Sequence, residues 1–208
     1  MTEILLSQIG KKFYRWVFRN INYTFKLPGI YGIAGANGSG KSTLLKIVSG
    51  YLTPTAGSLK YYINGSEIDP DHQYKYVSFT GPDVDLIEEF TLEEAIAFQQ
   101  KFTAFSVPGG IRAVLDLTRL SPYSQIRVKY LSSGMKQRLK VGMALFMQTP
   151  ILLLDEPSSF LDQEHKLWFR DMFQKFSGDR ITLVASNDDW DLDMCQEIFE
   201  ISRFSASE

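Results

Sequence analysis

The sequence predicts an α/β fold, with a core of parallel strands and helices, an antiparallel sheet near the N-terminus and a helical insertion. Three observations carry this. Ile151-Leu152-Leu153-Leu154 and Ile181-Thr182-Leu183-Val184-Ala185 are apolar on both faces, as strands buried in a parallel sheet are. The middle third has helical spacing of its apolar residues. The first third has apolar residues at alternate, odd-numbered positions, the mark of half-buried strands.

The elements follow in order. Met1 to Ile9 is mixed in character. Val17, Ile21, Tyr23 and Phe25 recur at odd-numbered positions, mostly two apart, beside the polar Arg19 and Asn22. Ile30 to Ile33 is short, β-branched and apolar, so it reads as a buried strand. Leu44, Leu45, Ile47 and Val48 then have helical spacing. Leu59 to Ile63, Asn64-Gly65 and Ile68 predict a hairpin, because Asn-Gly suits a turn that needs positive φ. Tyr76 to Phe79 is a further short strand, broken by Gly81-Pro82-Asp83. Thr91-Leu92-Glu93-Glu94 is a capping box, and Leu92, Ala95, Ile96, Gln99 and Phe102 continue it as a helix. Pro108-Gly109-Gly110 breaks the chain before a shorter helix carrying Ile111, Val114, Leu115 and Leu117. A third helix runs from about Gly134 through Met147, where Thr149-Pro150 stops it. Gln163 to Phe176 is helical, and Phe199 to Ile201 is an edge strand. Neither an internal repeat nor a low-complexity tract is visible.

Composition narrows the function. The 208 residues suffice for one domain with a sizeable core, and 44% hydrophobic with 22% charged residues is ordinary for a globular protein. A net charge of −2 gives no bulk attraction to nucleic acid or to a membrane surface, so no nucleic-acid partner is expected. The single cysteine, Cys195, excludes an internal disulfide and fits a reducing compartment. His72 and His165 stand far apart, away from other soft ligands, which argues against zinc. The N-terminal stretch does not resemble a secretory signal. The longest apolar runs fall far short of a membrane span, so any work at a membrane needs another chain to supply the spanning part.

The chemistry concentrates in Gly35-Ala36-Asn37-Gly38-Ser39-Gly40-Lys41-Ser42-Thr43. A strand precedes it and a helix follows. Glycines stand where backbone must approach a ligand, and the free amides of the helix N-terminus favour an anion. A chance match in a chain of this length has a probability on the order of one percent before that context is counted. Lys41 reaches β- and γ-phosphates on this reading, and Ser42 holds a magnesium ion. Asp155-Glu156-Pro157 follows a buried strand, at the edge where open α/β sheets bind ligands. Asp155 can hold the magnesium through water, and Glu156 can act on a nucleophilic water as general base. A capping Asp and a solvated Glu are the plainer alternative. Leu131-Ser132-Ser133-Gly134-Met135-Lys136-Gln137-Arg138 opens the third helix and is either a second anion site or an ordinary serine N-cap.

Taken together, in this order and spacing, these motifs resemble the ATP-binding cassette (ABC) ATPases, the nucleotide-binding subunits of ABC transporters. The resemblance covers nearly the whole chain. Gly35 to Thr43 matches the Walker A loop, Leu131 to Arg138 the signature sequence, Ile151 to Glu156 the Walker B strand with its catalytic glutamate, and Ser158 to Asp162 the D-loop. It implies a P-loop NTPase core with an antiparallel β subdomain (about 1–88 and 150–208) and a helical signature subdomain (89–149). It implies ATP and Mg2+ as ligands. It further implies a head-to-tail dimer, with itself or with another cassette, in which Walker A of one chain and the Ser132–Gly134 turn of the other enclose each nucleotide. Phe13, beside Tyr14, falls where the family stacks an aromatic on adenine; a packed strand residue is the alternative. Transmembrane permease subunits are the implied partners, docked around Thr80 to Phe90, which places the chain in the cytoplasm at the inner membrane face. That loop could equally pack on its own helical insertion.

Two positions depart from the pattern. The family usually ends the strand at Tyr76-Val77-Ser78 with a glutamine that touches magnesium and water; Phe79 stands there, and a phenyl ring offers no oxygen. Thr80, one residue on, has a hydroxyl that could substitute. After Ala185 the family usually has a histidine at the γ-phosphate, and here Asn187 stands in its place. A charge-assisted hydrogen bond is worth roughly 1.5–3 kcal/mol against about 1 for a neutral one. The expectation is therefore a genuine but slow ATPase using Glu156, Lys41 and Asn187. A soluble ABC-type ATPase and an ATP-gated interaction module with little hydrolysis are the rival readings.

Overall fold

Each buried strand pairs where its apolar pattern directs it. The structure, a computed structural model, describes residues 1–205. In chain order it contains β1 (Glu3–Lys12), β2 (Trp16–Lys26), β3 (Gly29–Ala34), α1 (Lys41–Val48), β4 (Ala56–Ile63), β5 (Ser66–Glu67) and β6 (Val77–Thr80). Then follow α2 (Leu92–Gln100), α3 (Gly110–Leu117), α4 (Ser133–Phe146), β7 (Ile151–Asp155), α5 (Gln163–Phe176), β8 (Ile181–Ala185), α6 (Asp189–Leu192) and β9 (Glu197–Glu200).

The strands form two sheets. One is antiparallel, in the order β2-β1-β4-β5; the other is parallel, in the order β6-β7-β8-β3-β9. The fold is thus the mixed α/β arrangement that the sequence predicts. β7 explains its own unbroken apolar run. Ile151 and Leu153 face a core shared with α1 and the antiparallel sheet, while Leu152 and Leu154 face a second core with α4 and α5. All five residues of β7 are buried, so neither face can carry a polar alternation. Truncating Leu153 to Ala would remove packing worth about 2–5 kcal/mol.

Local signals set most boundaries. Asn64 and Gly65 both take positive φ (53° and 86°), the twist that a two-residue hairpin turn requires between β4 and β5. The Thr91 side chain accepts from the Glu94 amide, and Glu94 returns to the Thr91 amide, so the capping box forms in full. Two expectations need adjustment. α2 ends at Gln100, leaving Phe102 outside it and 59% exposed, its ring edge-on to Phe98. β1 lies inside the mixed N-terminal stretch, between β2 and β4 in its sheet. Its alternation is Ile4, Leu6, then Ile9, because the strand bulges at Gln8 (φ 52°) and shifts the pairing register.

The parallel strands all present their C-terminal ends at one edge. Gly35, Thr80, Asp155 and Ser186 converge there from β3, β6, β7 and β8.

Candidate functional site

The loop after β3 turns on glycines. Gly38 and Gly40 have φ of 78° and 104°, a region costly for any residue with a Cβ. At Gly40 a Cβ would also come within 2.6 Å of Val17 and 2.8 Å of Phe18, so the start of β2 presses against the loop. Lys41 is the first residue of α1 and only 6% exposed. Its ammonium donates to the carbonyls of Gly35 (2.8 Å) and Ala36 (3.3 Å), which hold it across the loop mouth. α1 has no side-chain N-cap, so its first amides are open to an anion. Asn37 lies at the loop's tip and accepts a 2.9 Å hydrogen bond from the Asn187 amide.

Asp155 is buried at an electrostatic penalty. It is 2% exposed, and burial raises its pKa to about 6 against the opposing hydrogen bond from Ser42. Its Oδ1 has no hydrogen-bond partner. A buried carboxylate oxygen without a donor, next to a serine hydroxyl at a helix N-terminus, is a hard-oxygen pair that suits a divalent cation. Ser42 and Asp155 therefore fit Mg2+. Phe79 faces the opposite way chemically. Its ring packs into the core that contains Leu44 and Leu45. Thr80 pairs with Leu154 and shares its face, toward α4 and α5, while Asp155 shares that of Leu153. The Thr80 hydroxyl is buried and without a hydrogen-bond partner, and it does not join Ser42 and Asp155. Substitution of the glutamine by Thr80 thus gains no support.

Glu156 sits in a conformation that a non-glycine residue adopts only when its surroundings enforce it (φ 48°). Four contacts do so. Its amide donates to Ala185 O (2.8 Å), and its carbonyl accepts from Gln137 Nε2 (3.3 Å) and from the Ser159 amide (3.2 Å). Gln137 also donates to Pro157 O (2.9 Å), so α4 fastens the strand-to-loop corner from below. The Glu156 carboxylate accepts from the Ser186 hydroxyl at 3.2 Å. Asn187, expected at the reacting end, is turned to Asn37 instead. The sequence pointed to no role for Ser186 or Asp191, and to Gln137 only as part of the Leu131–Arg138 run. Their signal is a contact between distant segments; only the position of Ser186, directly before Asn187, could have drawn attention.

The remaining expected residues are separate. Phe13 lies in the β1–β2 turn, 59% exposed, with the Lys11 ammonium 5.1 Å from its ring centre; it is not packed in a strand. Tyr14 beside it is fully exposed. Ser132 caps α4 by accepting from the Met135 amide (3.2 Å), and the turn through Gly134 is open to solvent apart from the nearby Phe160 carbonyl. Phe160, in the loop after β7, has φ 63° and is 70% exposed. The Thr80–Phe90 loop is fastened to the helical segment. Lys136 pairs with Glu88 at 3.2 Å, Lys140 donates to Gly81 O at 3.0 Å, and a groove of about 290 Å³ remains between them, lined by Val84, Leu86 and Val128 among others. Among the described residues no helix is long and apolar enough to cross a membrane.

A strand, a glycine loop and a helix N-terminus, facing a buried aspartate and a constrained glutamate at one sheet edge, define a phosphate-binding α/β domain. The comparisons with known proteins agree. The family model described as ABC transporter matches residues 18–159. The uncharacterized ABC transporter ATP-binding protein YybJ of Bacillus subtilis is 30% identical over 189 residues, covering 89% of this chain and 86% of that protein. An energy-coupling factor transporter ATP-binding protein of Thermotoga maritima is 35% identical over 82% of this chain and 67% of its own length. The sulfate/thiosulfate import ATP-binding protein CysA of Mesostigma viride is 31% identical over 96% of this chain, which spans 57% of that relative. In structure, a dimeric ATP-binding cassette in a post-hydrolysis state with ADP and Pi superposes with a TM-score of 0.81, 22% identity and coverage of 96% and 95%. The chain belongs to the ABC transporter family, as one of its ATP-binding cassettes.

Proposed function

We propose that this chain binds Mg-ATP, dimerises on it and hydrolyses it slowly, powering transport through separate membrane subunits. The observation that carries this is the pairing of the buried, half-unsatisfied Asp155 with Ser42 beside the Lys41 loop. Lys41 and the first amides of α1 would bind the phosphates. Ser42 and Asp155 would hold Mg2+, which supplies charge neutralisation at the β- and γ-oxygens. Glu156 would orient the attacking water and take its proton. Asn187 can donate a neutral hydrogen bond near the γ-phosphate once it leaves Asn37, which supports slow turnover. Phe13 is exposed and free to stack on adenine.

The Ser132–Gly134 turn serves no phosphate within its own chain. Facing a second copy, or a different cassette, it would close on that chain's nucleotide with its open helix N-terminus. The groove beside Val84 and Leu86 would take a permease segment, holding the chain at the cytoplasmic face of a membrane. Asn187 engaged with Asn37 favours the second reading, an ATP-gated module with little hydrolysis. Phosphate release under saturating Mg-ATP separates the two. The proposal expects wild-type turnover at least about 100-fold above Glu156→Gln, the scale of a lost general base; equal rates would leave only the gated module.

A further inference from the structure

Asn187 stands where the resemblance expects a histidine at the γ-phosphate, and it donates to Asn37 instead. The hydrogen bond that the Glu156 carboxylate accepts comes from Ser186. Ser186 is fully buried at the end of β8, and a second carboxylate lies behind it: Asp191, also fully buried, 2.9 Å from the same hydroxyl. The Asp188 amide donates into the Ser186 oxygen at 3.0 Å. We propose that Ser186, backed by Asp191, is the positioning residue for Glu156, and that it holds the carboxylate toward the attacking water in place of a histidine. This rests on the reading of Glu156 as general base.

Counting protons shows how the relay works. A hydroxyl has one proton to give and two lone pairs. One lone pair of Ser186 is taken by the Asp188 amide. When Asp191 carries a proton, it donates into the second lone pair, and the serine proton is free for Glu156. When Asp191 is ionised, it competes for that proton at the shorter distance, and Glu156 loses its restraint. Burial favours the protonated form and raises the Asp191 pKa, with smaller contributions of the same sign from the Asp188 and Glu156 carboxylates; hydrogen bonds from Ser186 and Ser158 oppose it. Asp191 Oδ1 has no hydrogen-bond partner, which an ionised carboxylate tolerates poorly. Of the other charged or titratable groups around α6, Asp189 and Asp193 are exposed to solvent. Lys166 pairs with Asp188 at 2.8 Å, Arg170 lies over the Trp190 ring, and the Cys195 thiol meets only the Asp191 carbonyl, at 3.8 Å.

The test is steady-state phosphate release by the purified full chain with Mg-ATP, across pH, for wild type, Ser186→Ala, Ser186→Thr, Asp191→Asn and Glu156→Gln. Binding of a fluorescent ATP analogue reports folding of each. Ser186→Ala is expected to lower kcat about tenfold, as for a lost bond to a charged acceptor, with KM for ATP unchanged. Ser186→Thr, which restores the hydroxyl, should recover most of that loss. Wild-type kcat should fall as rising pH ionises Asp191. Asp191→Asn, whose amide donates to Ser186 at every pH, should lose that fall and exceed wild type on the alkaline side. Ser186→Ala turning over at the wild-type rate, or Asp191→Asn with the wild-type pH profile, overturns the relay while a low rate for Glu156→Gln leaves the general base standing. Wild-type turnover no greater than that of Glu156→Gln overturns both.

Discussion

The phosphate loop and the signature turn are both helix N-termini carrying glycine and serine, yet they are built differently. The loop at Gly35–Thr43 is anchored at its base, with its tip from Ala36 to Gly38 exposed. Its lysine is buried and tied to two carbonyls, Gly40 is pressed by Val17 and Phe18 of β2, and Asp155 waits beside Ser42 with an unpaired oxygen. The turn at Ser132–Gly134 is open, and its serine is satisfied by capping its own helix. The first holds its lysine, serine and aspartate together within one chain, and Asp155 there carries an electrostatic penalty that a cation would relieve. The second costs its own chain nothing and gains a purpose only against another surface. Changes at the first should therefore alter chemistry and binding in the isolated chain, and changes at the second should alter association alone.

The largest separation is expected from Gly134→Asp. A carboxylate placed at the turn would repel a partner's nucleotide, and its Cβ would crowd the Phe160 carbonyl at 3.1 Å. ATP-dependent association, followed by light scattering, should be lost, with ATP affinity of the single chain unchanged. Reduced affinity in the monomer would blur the distinction between the two sites.

Asp155→Asn probes the stored penalty. The Asp155 pKa rises from 3.8 to about 6 on folding, so the native state holds its proton more tightly than the unfolded chain. Its contribution to stability is full below about pH 4 and is lost as pH rises through 6. Without magnesium, removing the charge should stabilise the protein at pH 8 by about 2–3 kcal/mol, and by nothing near pH 4. Thermal unfolding in chelator at the two pH values reads this out. Equal melting points for the two proteins at pH 8 would mean that Asp155 is not held at such a penalty.

A smaller effect is expected at Asn187. Replacing it with His supplies a donor that can carry charge, and turnover should rise up to about tenfold in a phosphate-release assay. No gain would mean that the Ser186 contact already does the orienting. The smallest effect should come from Phe13→Ala, which removes an exposed ring. ATP affinity, measured by calorimetry, should weaken several-fold, at about 1 kcal/mol for a lost stack.

Legibility in the sequence divided along similar lines. Whatever depends on a local run could be read directly. The Thr91 capping box, the Asn64-Gly65 turn, the two-faced apolar strands and the glycine loop all form as expected. Features set by distant contacts could not. The bulge at Gln8 broke the alternation of β1, so a strand inside the antiparallel sheet looked mixed. α2 stops before Phe102 although the spacing continued. Gln137 reaches Glu156 from α4, and Ser186, with Asp191 behind it, from the end of β8; no local run shows that these segments meet. That Phe79 offers no oxygen was visible, but the direction of the neighbouring hydroxyl was not. Only the pairing of Thr80 with Leu154 shows which way the neighbouring hydroxyl turns.

The central claim is that the anchored site of one copy is closed by the open turn of another. Its most direct measurement is the mass in solution of Glu156→Gln with saturating Mg-ATP, a variant that retains the loop and should not consume its ligand. The account predicts a nucleotide-dependent dimer that disperses when magnesium or ATP is removed. A chain that stays monomeric while demonstrably filled with ATP, both alone and with a second ABC cassette added, would contradict it.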